Sequence, residues 1–318
     1  MREKAAPINS QGFEKPGERS YSIAGHPLTA PKAAPGLHLV ATPIGNLGDV
    51  TLRALQTLAG VDFIACEDTR VTRRLTDRYG ITAELMPYHE HNAAVARPKI
   101  LDRLALGASV ALVSDAGTPL ISDPGFKLVR EACGAGYAVT ALPGPSSVLT
   151  ALSLAALPTD RFFFDGFLPA KPTARRARLA DLARIDATLV LFESGNRVQQ
   201  TLGELAAVMG ARDAAICREL TKMHEDIARG PLGELAARSH QLETRGEFVL
   251  VIGPPGAEAQ VLTTEALDDL LRAQLGRESV KDAVAHAVVL SGRPRREVYA
   301  RALELAREAD TKGGHAKD

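Results

Sequence analysis

The sequence predicts an α/β protein with two α/β domains and a small helical domain at the C-terminal side. Short apolar runs alternate with helical patterns over residues 37–157, which is typical of a mostly parallel sheet covered by helices. A second alternation of this kind covers residues 158–255. Residues 262–310 show helical patterns alone and predict the third domain, which has the form of a helix-turn-helix.

The composition restricts the classes of protein to which the chain can belong. At 318 residues it has room for two domains, and its 38 basic and 38 acidic residues balance, so a nucleic acid would have to bind a local patch. The three cysteines lie far apart in apolar segments, which indicates buried thiols in the cytoplasm. Apolar runs stay below the ~18 residues of a membrane span. Residues 1–36 are rich in Pro, Gly, Ser and charge and are interpreted as a disordered extension.

The first α/β domain, residues 37–157, is predicted to alternate strands with helices. Asp123 followed by Pro124 is typical of an N-cap with proline at the first helical position, so we expect a helix to begin there. The predicted strands are Leu37–Ala41, Phe63–Cys66, Val110–Val113 and Val139–Leu142, and the predicted helices are Thr51–Ala59, Thr69–Tyr79, Val95–Leu106, Pro124–Ala135 and Ser146–Ala156.

The second α/β domain, residues 158–255, follows a link at residues 157–160 and ends at the Gly-Pro-Pro-Gly of residues 253–256. Its predicted strands are Phe162–Phe164, Thr188–Phe192, Ala214–Arg218 and Phe248–Ile252. The helices predicted beyond it are Thr264–Leu275, Ser279–Leu290 and Pro294–Arg307.

Loops rich in glycine and proline follow three strands of the first domain, at residues 42–49, 114–125 and 143–147. The carboxyl ends of parallel strands share one sheet edge, where ligands of α/β proteins bind. Any one loop can be a tight connection without a ligand, but three together frame a cleft. The sequence contains neither G-x-G-x-x-G nor a Walker motif, so dinucleotides and triphosphates have no recognisable cradle.

These loops, together with Glu67-Asp68-Thr69-Arg70, closely resemble the tetrapyrrole-methylase superfamily over about residues 37–253. The chain is most similar to members that methylate a cytidine 2′-hydroxyl in 16S ribosomal RNA of the small subunit. The resemblance implies S-adenosyl-L-methionine as cofactor, in a cleft between the two α/β domains. Small residues, hydroxyls and apolar side chains suit backbone approach, ribose or carboxylate binding and adenine packing, respectively. The implied cofactor contacts are Pro43, Asp115, Ala116, Gly117, Thr118, Ile121, Ser146, Ser147, Glu193 and Leu220.

Two carboxylates after the strand Phe63–Cys66 are candidates for the catalytic base. Methyl transfer needs a nucleophile in line with the methyl group, and a ribose hydroxyl is weak until a base takes its proton. Glu67 falls where related enzymes carry an active-site acid and is the first candidate, with Asp68 second. The alternative is that Asp68 or Thr69 caps the next helix while Glu67 pairs with Arg70.

The segment His89-Glu90-His91-Asn92 lacks the i, i+4 histidine spacing of a zinc helix and has no cysteine nearby, so we predict no metal site. Hydrogen bonding to the methyl acceptor by His91 and Asn92 is the preferred interpretation.

Basic residues at two places are candidates for RNA binding. The first place follows Phe167-Leu168-Pro169, a signature shared with the superfamily, and the second lies between the last two predicted helices. Basic residues at a helix start run against the helix dipole, which favours an external anion, although a solvated helix face is the alternative. The candidates are Lys171, Arg175, Arg176 and Arg178 at the first place and Arg295 and Arg296 at the second.

One loop departs from the superfamily pattern, because Gly195-Asn196 replaces the usual Pro-His. Losing proline is expected to loosen this loop.

The sequence therefore predicts an S-adenosylmethionine-dependent ribosomal RNA (cytidine-2′-O)-methyltransferase, cytoplasmic and homodimeric by the resemblance. A tetrapyrrole-type small-molecule methyltransferase is the first alternative, and it needs neither the basic patch nor the helical tail. A non-catalytic RNA-binding assembly factor is the second, and the intact Gly/Pro loops argue against it.

Overall fold

The structure is a computed structural model that describes residues 19–210, 212–256, 264–275, 278–291 and 294–313. The chain divides into two compact units, here called unit 1 and unit 2. Unit 1 runs up to Leu154 and includes Cys217–Asp226, whereas unit 2 comprises Ala155–Ile216 and the residues from Ile227 onward. The predicted boundary at residue 157 is close to the observed one, but the sequence does not indicate that Cys217–Asp226 returns to unit 1.

Unit 1 opens with a hairpin of two antiparallel strands, β1 (Ser20–Ile23) and β2 (His26–Thr29). Tyr21 and Ile23 pack against a buried cluster of unit 1. The prediction of disorder is therefore wrong over residues 19–36, because the apolar side chains of the hairpin pack against a hydrophobic core. Residues 1–18 lie outside the described residues.

A five-stranded parallel sheet forms the centre of unit 1. Its strands are β3 (Gly36–Val40), β4 (Phe63–Cys66), β5 (Glu84–Pro87), β6 (Ser109–Val113) and β7 (Val139–Leu142). They stand in the order β5-β4-β6-β3-β7, and every neighbouring pair is parallel. The central strands β4 and β6 are buried along their whole length, as expected when helices cover both faces. The α/β prediction is confirmed.

The helices of unit 1 follow the predicted order, but two of them start two residues away from the prediction, and the one predicted from Val95 begins at Ala93. The helix after β6 begins at Phe126 with Gly125 as its N-cap, so the prediction that Asp123 caps it is wrong. Gly125 has φ +138°, and the loop runs two residues further before the helix begins. The helices are α1 (Leu52–Gly60), α2 (Thr69–Tyr79), α3 (Ala93–Ala105), α4 (Phe126–Gly134) and α5 (Ser147–Ala155).

Unit 2 has a second five-stranded sheet with its own core. The strands are β8 (Phe162–Phe167), β9 (Thr188–Ser194), β10 (Asp213–Arg218), β11 (Asp226–Pro231) and β12 (Glu247–Ile252). Their order is β11-β10-β12-β9-β8; β8 is parallel to β9, and β12 is antiparallel to it. The helices are α6 (Pro172–Leu182), α7 (Val198–Met209) and α8 (Leu232–Ala237).

The C-terminal helices α9 (Thr264–Leu275), α10 (Val280–Ser291) and α11 (Arg295–Gly313) share a small apolar core. Leu271, Val284 and Val298, one from each helix, are fully buried in it. Arg301 of α11 adds a two-pronged ion pair to Asp268 of α9 at 2.7 and 2.5 Å. None of the helices within the described residues has the length and apolar character that a membrane crossing requires.

Candidate active site

The three Gly/Pro loops of unit 1 lie together at the carboxyl edge of its sheet. Thr42 and Gly117 exchange backbone hydrogen bonds, each 2.9 Å from nitrogen to oxygen. The Thr118 hydroxyl donates to the Pro145 carbonyl at 3.2 Å, and the Thr42 hydroxyl donates to the Ser114 carbonyl at 3.1 Å. The parallel sheet therefore brings the loops into direct contact, as the sequence predicts.

The loop after β6 is held in an unusual backbone conformation. Gly117, Leu120, Ser122 and Gly125 all have positive φ, at +81°, +76°, +62° and +138°. Leu120 and Ser122 have a Cβ, so this conformation costs free energy that the surrounding contacts must offset. It turns the Ile121 side chain outward, leaving it 43% exposed.

The segment Cys217–Asp226 reaches the loop after β3. A Cβ on Gly45 would stand 2.5 Å from Lys222 Cγ and 2.9 Å from the Leu220 carbonyl oxygen, so only glycine fits at this approach. Glu219 and Thr221, on either side of Leu220, have φ +51° and +65°. Leu220 is thereby brought to the loops of unit 1, although it follows a strand of the other sheet.

Three carboxylates lie near one another at this edge: Glu67 after β4, and Asp115 and Asp123 in the loop after β6. Burial raises the pKa of Glu67, and the charges of Asp115, Asp123 and Asp68 raise it further. Burial also raises the pKa of Asp115 and of Asp123; the Asp68 charge adds to the first, and the Asp115 charge adds to the second. Asp123, which capping rules assign to a helix end, belongs instead to this group of carboxylates. The local sequence does not indicate that placement.

Asp68 is in a different electrostatic state from Glu67. It is the N-cap of α2, where its carboxylate accepts from the Arg70 backbone nitrogen at 2.8 Å. Nη2 of the Arg70 guanidinium also donates to Asp68 Oδ2 at 2.6 Å. These bonds lower the pKa of Asp68 to about 2. Its own backbone nitrogen donates to Asp115 Oδ1 at 2.9 Å. Arg70 thus pairs with Asp68 and not with Glu67, which leaves Glu67 the more basic carboxylate.

The remaining predicted cofactor residues of unit 1 line these loops. Pro43 is half-buried, and Ala116 is exposed. Ser146 precedes α5, and its hydroxyl accepts from the Leu149 nitrogen at 3.4 Å, which contributes to capping the helix. Ser147 is the first residue of the helix.

Glu193 in unit 2 is buried within a polar network. Its carboxylate accepts from the Thr201 hydroxyl at 2.6 Å and the Ser194 nitrogen at 2.9 Å, and it pairs with Arg197 at 3.4 Å. Because these partners occupy the carboxylate, a ligand could contact Glu193 only through an atom outside the carboxylate group.

Arg175, predicted to bind RNA, is buried and forms part of the same network. It donates to Thr201 Oγ1 at 2.9 Å and pairs with Glu204 of α7 at 2.7 Å. The prediction that this side chain meets a phosphate is corrected, because the face of α6 that carries it packs against α7. Arg178 is partly exposed and pairs with Asp165, whereas Lys171 and Arg176 are exposed.

The loop at Gly195 is tight, contrary to expectation. A Cβ on Gly195 would lie 1.6 Å from the Thr244 carbonyl oxygen, so the backbone of residues 244–246 occupies the space that a proline ring would need. The Ser194 hydroxyl also donates to the Asn196 side-chain oxygen at 2.6 Å.

The other predicted polar sites have simpler surroundings. Asn92 accepts from the His89 nitrogen and donates to the Pro87 carbonyl, both at 2.9 Å, so it orders its own turn while His91 stays exposed. Arg295 and Arg296 are exposed at the start of α11. Among the described residues, no group of three or more histidine, cysteine or acidic side chains could hold a metal ion.

The family model for tetrapyrrole (corrin/porphyrin) methylases matches residues 36–236, which include all the loops described above. The chain belongs to the tetrapyrrole methylase family. A second family model, the RsmI C-terminal HTH domain, matches residues 261–306.

Curated members of the family are similar over nearly the whole chain. A protein of Mesorhizobium japonicum named ribosomal RNA small subunit methyltransferase I is 48% identical over 88% of this chain and 94% of its own length. A protein of the same name from Escherichia coli O157:H7 is 45% identical over 84% of this chain and 94% of its own length.

Solved structures share the methylase fold at low identity. Cobalt precorrin-4 methyltransferase, a cobalamin biosynthetic enzyme, is 20% identical and matches 68% of this chain and 94% of its own with a TM-score of 0.52. Diphthine synthase is 15% identical and matches 73% of this chain and 94% of its own with a TM-score of 0.53. At such identities the likeness concerns the fold alone.

Proposed function

We propose that this chain is an S-adenosyl-L-methionine-dependent methyltransferase that modifies ribosomal RNA of the small subunit at a cytidine 2′-hydroxyl. The observation that carries the proposal is the 48% identity, over 88% of the chain, to a protein named ribosomal RNA small subunit methyltransferase I. The match of residues 261–306 to the C-terminal domain of that type supports the same substrate class. The cytidine and its 2′-hydroxyl come from the sequence resemblance.

The cofactor site in this proposal is the edge where the Gly/Pro loops of unit 1 meet. Backbone groups of residues 116–118 can approach a ligand because Ala116 and Gly117 carry almost no side chain. Thr118 and Ser146 offer hydroxyls, and Ile121 offers an exposed apolar surface. Glu67, Asp115 and Asp123 provide negative charge that suits a sulfonium cation.

When bound, the cofactor supplies an electrophilic methyl carbon. Transfer of that methyl group to the ribose oxygen would release the hydroxyl proton, which needs an acceptor among the residues of the site. We assign this role to Glu67, because its raised pKa makes it a better proton acceptor than Asp68, whose pKa is about 2.

RNA binding is assigned to the exposed cations Lys171 and Arg176 of unit 2 and to Arg295 and Arg296 of α11. Exposed cations can neutralise phosphates without leaving an internal partner. Arg178 could contribute only through the part of its guanidinium that Asp165 does not engage. We further propose a homodimer acting in the cytoplasm, in keeping with the superfamily.

The test compares 2′-O-methylation of small-subunit ribosomal RNA from cells with and without the gene for this chain. We expect one cytidine to lose its methyl group and to regain it when the purified chain and S-adenosylmethionine are added. An unchanged methylation map, with no methyl transfer to the RNA in vitro, contradicts the proposal.

A further inference from the structure

The helix α2 of unit 1 has a strongly basic outer face. Its buried side chains, Thr72, Leu75 and Thr76, share one side of the helix. The basic side chains fall on the opposite side at the 3.6-residue period of a helix, and all of them are exposed. They are Arg70, Arg73, Arg74 and Arg78. Since Asp77 is the one acidic residue of this helix, its side chains carry a net charge of +3.

Most of these cations have no internal counter-charge. Arg70 is engaged by Asp68 at 2.6 Å. The other three, here called the α2 arginines, form no ion pair with any residue that the structure describes; they are Arg73, Arg74 and Arg78. By contrast, two arginines of α3 pair with acidic residues of neighbouring elements at 2.9 and 3.1 Å. A helix face that is merely solvated usually alternates in sign, and the outer face of α2 does not.

This concentration of positive charge is unfavourable within the helix itself. Arg74 lies four residues from both Arg70 and Arg78, and like charges at this spacing repel and destabilise a helix. The ion pair with Asp68 offsets the charge of Arg70 alone. The charge of the α2 arginines is therefore balanced only when an external anion lies against this face.

The helix is fixed beside the candidate base. It begins two residues after Glu67, and the backbone nitrogen of its N-cap, Asp68, donates to Asp115 Oδ1 at 2.9 Å. At its other end the Tyr79 hydroxyl donates to the Leu47 carbonyl, in the loop after β3, at 2.8 Å. With a rise of about 1.5 Å per residue, the α2 arginines stand about 6 to 14 Å along the axis from the start of the helix. A held helix thus presents cations that lead away from Glu67.

We propose that the α2 arginines bind phosphates of the substrate RNA beside the nucleotide that is methylated. The inference rests on the proposed function, which supplies the RNA and places its reacting ribose at Glu67. The carboxylates near Glu67 would repel the phosphates on either side of that ribose, and the neighbouring cations offset this repulsion. Phosphate contacts position a nucleic acid without reading its sequence. This face therefore positions the RNA backbone and leaves the choice of base to other residues.

The first experiment compares two double variants of the full chain that lose the same charge. Arg73→Gln with Arg74→Gln removes two of the α2 arginines. The control, Lys99→Gln with Arg130→Gln, removes two exposed cations from α3 and α4, which pack on the other face of the same sheet. We expect the first variant to raise the KM for small-subunit ribosomal RNA about tenfold and to reduce the log–log salt slope of RNA binding by up to ~1.4. The control should change neither. Equal effects in both variants overturn the proposal, as does a wild-type KM in the first.

The second experiment separates charge from folding. Arg73→Lys with Arg74→Lys keeps both charges, and because lysine binds phosphate as a point charge the KM should stay close to the wild-type value. The glutamine variant should unfold at no lower urea concentration than the wild type, because it loses like-charge repulsion and no ion pair. Its affinity for S-adenosylmethionine should also be unchanged. A less stable glutamine variant, or a lysine variant with the same raised KM, assigns these arginines a structural role and overturns the proposal.

The two proposals fail in different ways. If the wild-type chain methylates the RNA and the glutamine variant keeps the wild-type KM, phosphate binding by α2 is wrong and the methyltransferase function stands. If the wild-type chain transfers no methyl group, the proposed function is wrong whatever the salt slope shows.

Discussion

The two units place carboxylates at the ends of their strands in opposite electrostatic surroundings. Glu67, after β4 of unit 1, lies near Asp115 and Asp123, and burial together with their charges raises its pKa. Glu193, in β9 of unit 2, is buried with Arg197, Thr201 and Ser194 bonded to it. Burial and neighbouring negative charges disfavour the ionised form of Glu67. The carboxylate of Glu193, by contrast, has an ion pair and two hydrogen bonds within unit 2. The difference is that the carboxylate of Glu67 faces other negative charges, whereas the carboxylate of Glu193 is held by partners within unit 2.

The largest effect should come from Glu67→Gln, which removes the proton acceptor and keeps the size of the side chain. We expect single-turnover methyl transfer to fall by ~10²–10⁴ while both ligands still bind. Glu193→Gln is the matched variant in unit 2, and it should lower the unfolding free energy instead. If Glu67→Gln reacts at the wild-type rate, the proposed contrast between the units fails and Asp68 or positioning alone must explain catalysis.

The next effect concerns Arg175, whose guanidinium joins Thr201 and Glu204 in unit 2. Arg175→Met should lower the unfolding free energy by about 3 kcal/mol, because it leaves buried polar partners unsatisfied. Its exposed neighbour gives the control: Arg176→Met should change stability by less than about 0.5 kcal/mol. Urea unfolding measures both, and equal effects would show that Arg175 is no part of a buried network.

Salt dependence tests the outer surface of unit 2. Replacing Lys171 and Arg176 together with methionine should reduce the log–log salt slope of RNA binding by up to ~2. Stability and cofactor affinity should be unaffected, since both side chains are exposed. An unaltered slope would mean that these two side chains do not contact phosphates and belong to an ordinary solvated helix face.

The smallest effect is a shift in pH dependence at unit 1. Glu67 accepts a proton only when ionised, so the rate should fall as pH drops through its raised pKa. Asp123→Asn removes one of the charges that raise this pKa and should move the acidic limb of the rate profile to lower pH. A limb that stays in place would mean that Asp123 does not act on Glu67, and it would weaken the contrast between the two units.

The sequence predicts unit 1 better than unit 2, for physical reasons. Glycine and proline mark the loops after β3, β6 and β7 locally, and the parallel sheet then brings them together without further information. The strand β5 at the sheet edge is missed, because its Glu84-Leu-Met-Pro87 has no apolar alternation. The strand β11, Asp226–Pro231, is missed for the same reason.

Side chains whose role depends on distant partners are harder to assign. Arg175 looks like its neighbours in a basic run, and only the packing of α6 against α7 turns it inward to Glu204. Asp123 follows a local capping rule that the positive φ of Gly125 overrides. Gly195 looks like a loosened loop until the Thr244 carbonyl is seen against it.

The division of the chain has a consequence for biosynthesis. Unit 1 is discontinuous: the chain leaves it after Leu154 and returns with Cys217–Asp226, where the Leu220 carbonyl and Lys222 fit against Gly45. A nascent chain that has released only the first sheet from the ribosome therefore lacks one wall of the loop cluster. The contact of this segment with the loop after β3 can form only after much of the second sheet has emerged, so a truncated product of translation would carry the Gly/Pro loops without it.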